Sequence, residues 1–148
     1  MRPIGLLLVI GLLLPPLAHA SNADKQLLDP VALSALVTKA NLASPKDQCY
    51  LYAELVHQMT ELASQQLSQG QDPTATLRAV RDYTEKIHLA EANDHKKLKN
   101  AQILMEHTAF RLNEILHSAA LDDRPILEST LKSLNQVQNE LMMQVFRH

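Results

Sequence analysis

From residue 21 to the end the chain holds one glycine, Gly70, and four prolines, and each proline heads an apolar-periodic segment just behind a helix-capping residue. That arrangement leaves little to build but helix. A strand-rich fold needs tight turns, and the hairpin signals Asn-Gly and Asp-Gly are missing. Proline near the first helical position sacrifices no hydrogen bond, because the N–H there has no intrahelical acceptor, and a preceding Asp or Ser caps the turn. Asp29-Pro30, Ser44-Pro45, Asp72-Pro73 and Asp123-Arg124-Pro125 therefore predict helices over about 30–43, 45–69, 73–120 and 124–147. Gly70 stands where the second needs a C′ residue. The fold class is all-α, a helical bundle of amphipathic segments.

The apolar spacing agrees with this. Tyr52, Leu55, Val56, Met59, Leu62 and Ala63 recur at three- and four-residue steps, as do Leu127, Leu131, Leu134, Leu141 and Val145, with Gln138 as a polar intrusion. The third segment is the unusual one. Leu77, Val80, Ile87, Leu98, Ala101, Met105, Leu112 and Ile115 hold a coiled-coil-like three-four repeat without glycine or proline. Unbroken, it would be about 70 Å long. The alternative breaks it near Asn93-Asp94 and yields a four-helix bundle. Lys96, Lys97 and Lys99 would then fall in the first turns of a new helix, where the macrodipole disfavours cations. The expectation is one continuous helix, with the second and last helices folded back on its halves and some stripe left open for self-association.

The N-terminus reads as a secretory signal. Arg2 supplies positive charge, Ile4 to Leu14 form an apolar run, Pro15-Pro16 break it, and Ala18-His19-Ala20 set small residues for cleavage after Ala20. The run is too short for the roughly 30 Å hydrocarbon core of a bilayer. Residues 1–20 are expected to be removed, 21–28 to be a flexible leader and 29–148 a single helical domain. The expected location is the periplasm or the exterior, with no membrane span after cleavage.

Cleavage would leave 13 basic and 16 acidic side chains, a net charge of −3. Nucleic acid needs a basic stripe and is not an expected partner. Cys49 is the only cysteine, so an intramolecular disulfide and a C-x-x-C-H haem attachment are both excluded. It lies at the edge of an apolar stripe and reads as a buried, inert thiol.

The sharpest chemical pattern is Glu-x-x-His. It occurs as Glu54/His57, Glu85/His88 and Glu114/His117, more often than eight Glu and six His beyond residue 20 would place it by chance. Carboxylate-bridged metal bundles use this spacing because it aims two ligands the same way from one helix. In such bundles the ligands point into the core. At 100° per residue, Glu54 and His57 fall about 200° and 140° from Tyr52. Glu114 and His117 lie about 180° and 120° from Ile87, and Glu85 and His88 about 160° and 100°. All three pairs point outward or flank the stripe, which suits solvated pairs more than a buried centre. A surface site for an extracytoplasmic metal is the alternative. A second polar group, Glu91, Asp94 and His95, interrupts the long apolar face and reads as a ligand set, a buried network or a solvated waist.

No G-x-S-x-G, H-E-x-x-H, P-loop or G-x-G-x-x-G occurs, so an enzyme is not expected, and neither is a cofactor. At Lys46-Asp47-Gln48-Cys49-Tyr50-Leu51-Tyr52-Ala53-Glu54 and Leu98-Lys99-Asn100-Ala101 the chain resembles small secreted all-helical bacterial proteins. That resemblance implies export and a helical fold, and no activity. In size and compartment it is also similar to periplasmic helical stress chaperones, without their L-T-x-x-Q repeats. The expectation is an exported, non-enzymatic interaction or scaffold protein that meets a protein partner, or itself, through apolar helix stripes. The alternative is metal binding by Glu54, His57, Glu85, His88, Glu91, His95, Glu114 and His117.

Overall fold

A computed structural model describes residues 29–89 and 94–147; the expected signal peptide and leader lie outside the described residues. Five helices account for almost all of them: α1 (Pro30–Leu42), α2 (Pro45–Ser68), α3 (Thr74–Leu89), α4 (His95–Ser118) and α5 (Arg124–Arg147). No strand occurs among the described residues, and the fold is all-α.

The helix starts follow from their caps. The Asp29 carboxylate accepts from the Val31 amide at 3.0 Å and that of Asp72 from the Thr74 amide at 2.9 Å. Ser44 does not cap the backbone; its hydroxyl donates to the Asp47 carboxylate at 2.8 Å. At the end of α2, Gly70 has φ +69°, a left-handed conformation in which a side chain is strained. The turn it makes lets the Gln71 amide donate to the Gln66 carbonyl at 2.8 Å.

The third segment is where the structure departs from expectation. It is not one helix. Asp94 is extended, at φ −103° and ψ 106°, and its carboxylate accepts from the Lys97 amide at 3.2 Å as the N-cap of a new helix. The dipole objection to Lys97 is met from another helix, because its ammonium pairs with Asp47 in the first turn of α2. Lys96 and Lys99 point into water, where the penalty is small.

The break lets the chain fold back. α2 packs on α1, α3 and α4, and α5 packs on α3 and α4. Asp47 meets Lys97, His57 meets Thr108 and Glu61 meets Arg111, so α2 and α4 run parallel. Two helical hairpins, α2–α3 and α4–α5, thus lie side by side. Their buried positions repeat. Leu77, Val80, Thr84 and Ile87 of α3 correspond to Leu127, Thr130, Leu134 and Val137 of α5, each fifty residues on. Cys49, Tyr52, Val56, Met59 and Ala63 of α2 correspond to Leu98, Ala101, Met105, Thr108 and Leu112 of α4, forty-nine residues on.

All eight stripe residues expected in the third segment are buried. Among the described residues these stripes are covered where the helices close on one another. Each fully buried leucine, Leu55, Leu98 or Leu134 for example, contributes roughly 1.5–3 kcal/mol. Four threonines, Thr60, Thr84, Thr108 and Thr130, are also fully buried, one in each long helix. Each hydroxyl donates to the carbonyl four residues back at 2.7–2.8 Å, so its burial leaves no unpaired donor.

Candidate functional site

The Glu-x-x-His motifs lie on three different helices. On α2, Glu54 accepts from Gln58 at 3.4 Å, and His57 turns across the helix pair to Thr108, its Nδ1 3.0 Å from the hydroxyl. On α4, Glu114 accepts from Arg111 at 3.4 Å, while Nδ1 of His117 lies 2.7 Å from the Asn113 carbonyl. Glu85 is exposed on α3 beside Lys86; the side chain of His88, and Glu91 entirely, lie outside the described residues. His95 is the exposed first residue of α4. With His57 level with Thr108, the parallel register sets His95 about 20 Å along the axis one way and Glu114 about 9 Å the other. Among the described residues no three His, Cys, Asp or Glu side chains converge as a metal would need. Of the polar group interrupting the apolar face, Asp94 is an N-cap, a role outside the three readings that spacing suggested.

The polar chemistry concentrates instead along the α2–α4 seam. Its first contact is Lys97 with Asp47, and its middle is His57 with Thr108. Its far end is a fork: Arg111 donates from Nε to Glu61 at 3.0 Å and from Nη2 to Ser64 at 3.0 Å, with Glu114 at 3.4 Å. Burial opposes the charge of that guanidinium, but Glu61 and then Glu114 outweigh it and hold its pKa above the ordinary value. These contacts fix register between parallel helices.

Clefts lie at both ends of the seam. One, about 580 Å³, is lined by Ser64, Ser68, Arg111, Glu114 and Asp123. The other, about 610 Å³, lies between Lys39 and Leu42 of α1, Asp47, Tyr50 and Glu54 of α2, and Lys97. Tyr83 stacks on Tyr52 at 6.0 Å beneath Lys86, and burial, then Tyr52, raises its phenol pKa. Cys49 is 1% exposed, and burial pushes its thiol up to about 11, so it is not a thiolate near neutrality.

Residues outside any sequence motif mark the surface. Both phenylalanines of the chain are outside, Phe110 at 67% and Phe146 at 83% exposure. Phe110 overhangs a shallow groove between α4 and α5 with Leu131 and Gln138. Phe146 lines another with His95, Lys99, Met142 and Val145. Helical phase carried the signal for the first: Phe110 lies about 140° from the buried Met105. Comparison with protein-family models, curated proteins and solved structures finds no match to this chain.

Proposed function

We propose that this chain is an exported, non-enzymatic helical interaction or scaffold protein, a four-helix bundle of α2 to α5 with α1 laid along α2. The observation that carries the reading is the placement of the phenylalanines. The core is completed by aliphatic side chains, Met59, Met105, Cys49, four threonines and Tyr52, and the two largest purely apolar side chains are left at the surface. An aromatic held in water costs solubility and is the usual anchor of a protein contact. The contacting surface on this reading is Phe110, Phe146 and their neighbours, since the stripes themselves face inward. The N-terminal signal pattern supports export.

The test is the molar mass of the exported product by light scattering across a concentration series, with metal content measured on the same sample. The expected product begins at Ser21, gains mass with concentration and carries no stoichiometric metal. Phe110→Ser with Phe146→Ser should return it to the monomer mass. A compact monomer at all concentrations, unaffected by the two substitutions, would count against the reading; one bound metal per chain would favour the Glu/His alternative.

A further inference from the structure

The parallel run of α2 and α4, with α1, α3 and α5 returning alongside, gathers five helix ends at one end of the molecule. Charge segregates along the same axis. Of the seven lysines among the described residues, six lie toward this end: Lys39, Lys46, Lys86, Lys96, Lys97 and Lys99, with Arg147 beside them. Lys97 is paired with Asp47, and Lys86 sits over the rings of Tyr52 and Tyr83 at 5.6 and 5.0 Å. The other four lysines and Arg147 are exposed, with no ion pair among the described residues. The acids toward this end among the described residues are Asp47, held by Lys97; Asp94, held by a backbone amide; Glu54, turned to Gln58; Glu140, reached by Gln136; and the exposed Asp82 and Glu85. The opposite half carries Glu61, Asp72, Glu114, Asp122, Asp123 and Glu128 against Arg78, Arg81, Arg111 and Arg124.

The basic end is also where apolar side chains protrude. Leu42, at the close of α1, is 81% exposed, and Met142, Met143 and Phe146, at the close of α5, are exposed too. Leu42 shares a cleft with Lys97, and Phe146 shares one with His95 and Lys99, so the two protrusions flank the first turn of α4 on opposite sides. Protruding apolar tips set among unpaired lysines fit a plane that is anionic at its surface and apolar just beneath. A groove for a peptide would gather the apolar groups together; here they stand on separate helices.

We propose that this end docks on the anionic face of a phospholipid bilayer, the lysines meeting headgroup phosphates while Leu42 and Phe146 enter the acyl boundary. The proposal rests on the interaction-protein reading and names a partner for it. No helix among the described residues is long and apolar enough to cross a membrane, so the attachment is interfacial.

The experiment is vesicle flotation of the exported chain, expressed with its own N-terminal sequence, against phosphatidylcholine alone and against phosphatidylcholine mixed with phosphatidylglycerol. Binding is expected to the mixed vesicles only and to fall with salt. Lys46→Glu, Lys96→Glu and Lys99→Glu together should lower partitioning about tenfold or more. Leu42→Ser with Phe146→Ser should weaken it at low salt, and Lys132→Glu, exposed on α5 away from this end, should leave it unchanged. Circular dichroism confirms that the variants, all at exposed positions, keep their helix content. Absent binding to the mixed vesicles, equal binding to both kinds, or a charge-reversed variant that binds like the parent would overturn the proposal. Soluble polyglutamate that displaces the vesicles with no dependence on Phe146 would overturn it in favour of an acidic polypeptide. If vesicles fail while Phe110-dependent self-association persists, the interaction reading stands and the lipid inference alone falls.

Discussion

The hairpins α2–α3 and α4–α5 bury corresponding positions, but their outer faces differ. Along α2, α1 lies as a cover, fastened where Gln48 donates to the Ala40 carbonyl at 3.4 Å and Tyr52 to Asn41 at 3.3 Å. Nothing in the described chain covers the second hairpin, whose outer face offers Phe110, Asn113, Asn135 and Gln138. The comparison separates two demands on one pattern. Repeated apolar positions build the joint core, and the departures from the repeat, such as Phe110, mark what the surface is for.

The largest expected effect tests whether the two hairpins fold as one unit. Leu77 and Leu127 occupy corresponding, fully buried positions. Replacing either with Ala should cost about 3 kcal/mol in urea unfolding. A single cooperative transition in both variants is expected; a hairpin that melts alone in one of them would break the equivalence.

Next is the thiol under the α1 cover. The folded state holds Cys49 protonated up to about 11, against 9.0 when unperturbed. A raised pKa means stability is complete below pH 9 and is lost as pH rises toward 11, by about 2–3 kcal/mol. Melting temperature followed over that window should fall, and Cys49→Ala should flatten the fall. Leu98, the corresponding residue of the second hairpin, has no such titration, so the effect belongs to the first hairpin alone.

A smaller effect probes the start of the second hairpin. Asp94→Ala removes the N-cap and should destabilise by about 1 kcal/mol. A gain in stability would mean that a continuous helix competes. The Lys97–Asp47 pair beside it is one-third exposed on both partners, and Lys97→Met should cost only a few tenths of a kcal/mol after solvent screening.

Most of the helical plan was legible, because Pro30, Pro45 and Pro125 stand in the first turns of their helices as local signals and Gly70 ends α2 where the sequence puts a C′ glycine. The break at Asp94 was not. Asn93-Asp94 is a weak turn signal, and of the lysines that argued against a new helix Lys97 is relieved by Asp47, fifty residues away in sequence, while Lys96 and Lys99 are exposed to water. The buried threonines were invisible to an apolar count, since their hydroxyls are satisfied only once the helix exists. Of the Glu/His set, angular phase gave the outward or flanking placement of Glu54 and Glu114. It could not give His57 its partner, because Thr108 comes from another helix.

The fold-back at Asp94 creates both the joint core and the basic end, so it is the claim to test most directly. Spin labels at the exposed positions Ala75 and Asn113, in a Cys49→Ala background, report on it through their dipolar distance. An unbroken helix would set those residues about 57 Å apart. Folded back on neighbouring helices, they should give a distance below about 40 Å, labels included. A distribution centred near the longer value would contradict the account.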